Sequence, residues 1–242
     1  MASQTLYLLP TSLGEEDSAT VLPAAYRDIV VPLRFFFVEE VRTARRFLRR
    51  IGFTADFDEV TFVPVNEHNR HLSLDEMLRQ QELDSKRLPL QMGLLSEAGL
   101  PCIADPGASV VAWAHAHGLT VKPVSGPSSL FLALMASGLN GQCFAFQGYL
   151  PADPEGRKKR LLALEAYSRQ HHQTQIFIET PYRNARLWET VVAVCRPETR
   201  FCVAKNLCMP QEEIRTMRIA EWKKAGPPAF HKENAVFLLL AD

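Results

Sequence analysis

Apolar positions along the chain follow two rhythms. Short apolar runs at Thr5–Leu9, Leu33–Val38, Val60–Val65, Met92–Leu95 and Thr120–Val124 read as buried strands, several of them closed by proline or glycine. Between them the spacing turns helical. In Glu39–Ile51 the apolar residues are Val41, Ala44, Phe47, Leu48 and Ile51, and Gly52 is a natural stop. Leu72–Leu83 has Ser73 and Asp75 near its start, as helices do. Ala108–His117 and Ser128–Ser137 complete the series. Strands alternating with helices at this spacing predict an α/β fold with a mostly parallel, doubly wound sheet.

The rhythm changes after Gly138. Cys143–Leu150 reads as a strand closed by Pro151, Asp153–Arg169 as a charged helix, Gln175–Glu179 as a strand, and Pro181–Val194 as a helix with proline at its start. Phe201–Asn206, Ile214–Trp222 and Ala235–Leu240 then read as strands with little helix between them. Consecutive strands predict an α+β domain with a mixed sheet. The expected division is an N-terminal α/β domain over 1–140 and a C-terminal α+β domain over 141–242. Phe35–Phe37, Phe144 and Phe146 read as strand core.

Composition narrows the setting. Of 242 residues 47% are hydrophobic, enough for a sizeable core, and the formal net charge of zero gives no global argument for an acidic or basic partner. Local basic clusters stand out against that balance: Arg42, Arg45, Arg46, Arg49 and Arg50 on one helix, and Arg157–Arg160 opening another. Both suit a phosphate backbone, and both also suit a solvated helix face. The five cysteines form no CxxC pair, which argues against a zinc site and for free thiols in a reducing compartment. The first ten residues lack the features of a secretory signal, and no apolar run approaches a membrane span. The expected location is the cytoplasm, with no membrane partner.

Candidate chemistry concentrates in the loops that follow strands. Ser96-Glu97-Ala98-Gly99-Leu100-Pro101-Cys102-Ile103-Ala104-Asp105-Pro106-Gly107 lies between a strand and a helix, and Ser125-Gly126-Pro127-Ser128-Ser129 repeats the arrangement. Small residues, glycines and prolines at a strand's C-terminal end let a backbone approach a ligand, and that end is where open α/β sheets bind one. Such loops also serve as plain tight turns.

The order of these segments resembles the tetrapyrrole-methylase superfamily of S-adenosylmethionine-dependent methyltransferases. Within it the resemblance is to the branch that 2′-O-methylates a cytidine of small-subunit ribosomal RNA. That branch's Pro-Thr-Pro-Ile-Gly-Asn loop corresponds to Pro10-Thr11-Ser12-Leu13-Gly14-Glu15. Its Glu-Asp-Thr-Arg corresponds to Glu39-Glu40-Val41-Arg42, and its His-Glu-His-Asn to Asn66-Glu67-His68-Asn69. Its Ser-Asp-Ala-Gly-Thr-Pro…Asp-Pro-Gly loop is close to Ser96–Gly107, and its Pro-Gly-Pro-Ser-Ala turn to Ser125–Ser129. Its Glu-Gly-Phe-Leu-Pro matches Gln147–Pro151, and its Glu-Ser-Pro-His-Arg matches Glu179-Thr180-Pro181-Tyr182-Arg183. Three departures mark the chain: Glu40-Val41 for Asp-Thr, Ala204-Lys205-Asn206-Leu207-Cys208 for Arg-Glu-Leu-Thr-Lys, and no basic extension after Asp242.

The resemblance implies a methyltransferase that binds S-adenosylmethionine in a cleft between two domains, needs no metal, and forms a homodimer. Carried over residue by residue, it implies cofactor contacts from Pro10, Ser96, Glu97, Ala98, Gly99, Pro101, Ser125, Gly126, Pro127, Ser128 and Ser129. It implies catalytic roles for Glu39, Glu40 and His68, and acceptor contacts from Arg42, Asn69, Asp105, Glu179 and Arg183. Each has a bland counterpart. Acids suit a helix N-terminus, Asp105 suits a cap, Pro181 suits a first helical turn, and a loop histidine is usually solvated. The expected partner is ribosomal RNA or the small ribosomal subunit. A tetrapyrrole or other small-molecule acceptor, or a non-catalytic module that binds the cofactor or RNA, are the alternatives.

Overall fold

The computed structural model describes residues 4–14, 22–69, 71–230 and 232–242. Glu15, the last residue of the first loop motif, and Met1–Ser3 of the N-terminal segment lie outside the described residues. The chain divides into two compact units, Met1–Ser128 and Ser129–Asp242. This division lies one helix earlier than the expected one.

The first unit runs β1 (Thr5–Leu9), α1 (Tyr26–Val30), β2 (Phe35–Val38), α2 (Val41–Arg50), β3 (Thr61–Pro64), α3 (Leu74–Gln80), β4 (Gln91–Leu95), α4 (Ala108–Ala116) and β5 (Thr120–Pro123). The strands form one sheet in the order β3-β2-β4-β1-β5, with every pairing parallel. Parallel strands covered on both faces read as continuous apolar runs, and Phe35–Val38 is buried at every position. The connections β1→β2→β3 step one way along the sheet and β3→β4→β5 step back. Right-handed crossovers then put α1 and α2 on one face and α3 and α4 on the other. The core divides accordingly. Tyr26, Val30, Phe36, Phe47 and Leu48 pack together on the first side, and Phe35, Phe37, Leu74, Leu78 and Val110 on the second.

The second unit runs α5 (Ser129–Ser137), β6 (Phe144–Tyr149), α6 (Pro154–His171), β7 (Thr174–Ile178), a 3-10 turn (Pro181–Arg183), α7 (Asn184–Val194), β8 (Arg200–Lys205), β9 (Glu213–Arg218), α8 (Ile219–Ala225) and β10 (Ala235–Leu240). Its sheet has the order β6-β7-β10-β8-β9, parallel between β6 and β7 and antiparallel elsewhere. Helix α5 belongs here because Leu130, Ala133 and Leu134 are buried and Thr216 Oγ1 donates to Ser137 O at 2.7 Å. In the core, Phe237 stacks between Phe177 and Phe201, with Trp188 and Trp222 alongside.

Three elements differ from expectation. Ile214–Trp222 is not one strand: β9 ends at Arg218 and α8 begins, because the Glu221 carboxylate accepts from Arg218 N at 2.8 Å and Ile219 and Trp222 fall on one buried face. Phe144 is not core, since it opens edge strand β6 and is 38% exposed. The helix expected from Pro181 starts as a 3-10 turn and becomes α-helical at Asn184.

Candidate active site at the carboxyl edge of the parallel sheet

All five parallel strands end at one edge. There the loops after β1 and β2 leave toward one face, while the loop after β4, which lies between them, leaves toward the other. Chains parting to opposite faces open a crevice, so the strand order makes the positions beside the end of β4 the candidates for ligand binding. Space within the sheet is tight at this point. A Cβ on Gly93 would lie 2.6 Å from Leu9 Cδ1 and 2.8 Å from the Phe36 ring.

The loops after β1, β4 and β5 form one assembly. Gly99 O accepts from Thr11 N at 2.9 Å and from Ser96 Oγ at 2.7 Å. Tyr26 OH donates to Pro10 O at 2.7 Å and anchors the β1 loop from below. Gly126 sits so close to Pro10 that a Cβ would meet its ring at 2.3 Å. At Gly99 φ is +76°, and a Cβ would meet Pro127 O at 3.1 Å. The structure therefore brings Pro10, Ser96, Gly99, Gly126 and Pro127 together. The buried Ser96 hydroxyl is engaged within the loop, and Pro101 and Ser128 are buried too. Glu97, Ala98 and Ser125 are exposed at the edge. Ser129 opens α5 in the second unit.

Carboxylates gather beside this assembly. Glu39, the first residue after β2, is half-buried. Burial raises its pKa, and the charges of Glu97, Asp105 and Glu67 raise it further. Glu97 accepts from Thr43 Oγ1 at 2.6 Å, which ties helix α2 to the β4 loop. Thr43 carries no motif signal, and only its place one turn from Glu40 points to it; the buried Thr11 stands in the Pro10–Glu15 loop motif, which gave it no role. A small crevice between the ends of β2, β3 and β4 is floored by Val38, Leu94 and Leu95, with Glu39 and Asp105 on its wall.

The other candidates have local work. Glu40 is the N-cap of α2, its carboxylate accepting from Arg42 N at 3.0 Å. Asp105 Oδ1 accepts from Cys102 N and Gly107 N, both at 2.8 Å, and so folds a loop in which Cys102 and Ala104 hold positive φ. Burial raises the Asp105 pKa in spite of those bonds. Asn69 Oδ1 accepts from Asn66 N and its Nδ2 donates to Pro64 O, so this side chain closes the turn after β3. His68 stands exposed on that turn, and Arg42 is exposed on α2. In the second unit Glu179 is buried and pairs with Arg183 at 2.7 Å, while its Oε2 has no partner. Arg157 is buried and donates to Pro151 O and Ala152 O, a structural use rather than an exposed charge. Among the described residues no cluster suits a metal ion, and no helix is long and apolar enough to cross a membrane.

Comparison with known proteins adds to this geometry. Residues 34–223 match the model of the Tetrapyrrole (Corrin/Porphyrin) Methylases. The chain is 32% identical over 217 residues to ribosomal RNA small subunit methyltransferase I of Vibrio cholerae, covering 89% of this chain and 69% of that protein. It is 31% identical over 221 residues to the protein of the same name from Pseudomonas aeruginosa, covering 91% and 72%. Among solved structures, uroporphyrin-III C-methyltransferase from Thermus thermophilus, complexed with S-adenosyl homocysteine, superposes with a TM-score of 0.55 at 16% identity over 98% of this chain and 97% of that one, which speaks to the fold. With a family model spanning most of its length and relatives at this identity, the chain belongs to the tetrapyrrole (corrin/porphyrin) methylase family, a family of methyltransferases.

Proposed function

We propose that the chain transfers a methyl group from S-adenosylmethionine to a ribose 2′-hydroxyl of small-subunit ribosomal RNA, with Glu39 as the base. The observation that carries this reading is the half-buried Glu39 on the crevice wall, its pKa raised by burial and by three neighbouring carboxylates.

The residues at the sheet edge fit the cofactor. Backbone groups of the Pro10–Ser12, Ser96–Gly99 and Ser125–Ser128 loops form a cradle whose glycines leave no room for side chains. The exposed Glu97 carboxylate complements a cationic group by charge-assisted hydrogen bonding. Bound there, S-adenosylmethionine supplies a methyl already activated on a sulfonium sulfur. The protein's share is then to hold the acceptor in line and to take its proton. A carboxylate with a raised pKa takes a proton more readily than an ordinary one, and such a base contributes about 10²–10⁴-fold to the rate. In this reading Glu40 supports the site by capping α2, Asp105 shapes the loop, and Arg42 meets a phosphate near the acceptor. The relatives named for small-subunit ribosomal RNA methylation support the choice of acceptor. The enzyme acts in the cytoplasm and as a homodimer, and light scattering at micromolar concentration tests the dimer.

The direct test is methyl transfer from radiolabelled S-adenosylmethionine to small ribosomal subunits from cells lacking this gene. Naked ribosomal RNA and a precorrin mixture run in parallel. Label in a ribose of the ribosomal RNA is the expected outcome. Label only in the tetrapyrrole fraction overturns the acceptor.

A further inference from the structure

Helix α2 carries Arg42, Arg45, Arg46, Arg49 and Arg50 within its 10 residues and no acidic residue. At 3.6 residues per turn these five fall in an arc of about 140°, opposite the buried Ala44, Phe47 and Leu48. All five are exposed. Two guanidiniums lie over aromatic rings. Arg45 lies 5.3 Å from the Phe57 centroid and 5.2 Å from that of Phe62, and Arg49 lies 4.0 Å from Phe57. Arg49 Nη1 also donates to Phe53 O and Ala55 O. The neighbouring Asp56 turns its carboxylate to Asp58 N. Among the described residues Arg42, Arg45 and Arg49 form no ion pair with a carboxylate.

The row begins just past Glu40, at the carboxyl edge of the sheet, and runs about 10 Å along the helix from Arg42 to Arg49. Clustered positive charge on a helix that carries no carboxylate of its own attracts an anion that is itself extended. Guanidinium forks match phosphate oxygens, and rings beneath them reduce the rotamer freedom lost on binding. We propose that the outer face of α2 is a docking track for the phosphodiester backbone of RNA. It leads a strand toward the Glu39 crevice, and the inference rests on the ribosomal RNA reading for its choice of partner. A chain of zero net charge binds RNA through such a local stripe rather than through its overall field.

The test compares wild type with Arg42→Gln/Arg45→Gln and with Arg45→Lys. The probe is a fluorescein-labelled single-stranded fragment of small-subunit ribosomal RNA, titrated by anisotropy between about 50 and 200 mM salt. Each phosphate contact on a single strand adds about 0.7 to the slope of log K against log salt. The double variant is expected to lose about 1.4 from that slope and at least tenfold in affinity at the lowest salt. Arg45→Lys keeps the charge and is expected to keep the slope while losing affinity, because an ammonium lacks the planar fork that matches phosphate oxygens. Melting temperature and circular dichroism establish that each variant is folded. An unchanged slope in a folded double variant overturns the track and leaves the acceptor reading intact. Absence of salt-dependent RNA binding by the wild type overturns both. A lower slope in a protein that labels no RNA keeps the track and removes the acceptor reading.

Discussion

Glu39 and Glu40 are neighbours in the chain with opposite duties. Side chains alternate at a strand end, so one carboxylate enters the crevice and the other turns to the first amides of α2. Nothing in the dipeptide says which is which. The difference shows in pH dependence. The pKa of Glu39 is raised in the folded state, so the folded protein holds this proton more tightly than the unfolded chain does. Its contribution to stability is full below the ordinary carboxylate pKa and is lost as pH rises through the folded value. Glu39→Gln is therefore expected to melt higher than wild type at neutral pH. The gap closes as pH falls below the ordinary carboxylate range, and turnover drops by about 10²–10⁴-fold. Scanning calorimetry at several pH values, with single-turnover methyl transfer, checks both parts. A variant that melts lower than wild type at neutral pH contradicts the assignment.

At the scale of elements, the apolar runs that stand out in the sequence are the strands of the structure, because buried parallel strands need no polar face. Elements that depend on a single hydrogen bond were not legible. Helix α8 hides in what reads as a strand, since the i, i+3 pair Ile219 and Trp222 is too short a pattern to set a helical period, and the Glu221–Arg218 bond that starts the helix does not show in sequence. Helix α1 has five residues, too few to show a period. The loops at the sheet edge were legible as strings of glycine, proline and serine. The use of their polar groups was not, because Ser96 and Asp105 bond backbone atoms that sequence cannot locate. Helix α2 offers a test at this scale. Glu40→Ala removes an N-cap acceptor and is expected to cost about 1 kcal/mol of stability. Methyl transfer should stay within a few-fold of wild type, because Glu39 keeps its place. A loss of turnover like that of Glu39→Gln would instead give Glu40 a chemical role.

At the scale of the whole molecule, each core cluster is drawn from one unit only. The second unit's cluster centres on Phe237, which is fully buried and stacked 6.0 Å from both Phe177 and Phe201. Removing a buried phenylalanine side chain costs about 3–5 kcal/mol. In a unit of this size that lowers the melting temperature by on the order of 10–20 °C. If each unit is held by its own core, Phe237→Ala separates unfolding into two steps. The three tryptophans report on the two units: Trp113 lies on α4 of the first, and Trp188 and Trp222 are buried in the second. With 5-fluorotryptophan incorporated, the fluorine resonances of Trp188 and Trp222 should leave their native positions in the lower step, while that of Trp113 holds until the upper one. Loss of all three at one temperature would mean that the units unfold as a single cooperative body in spite of their separate cores.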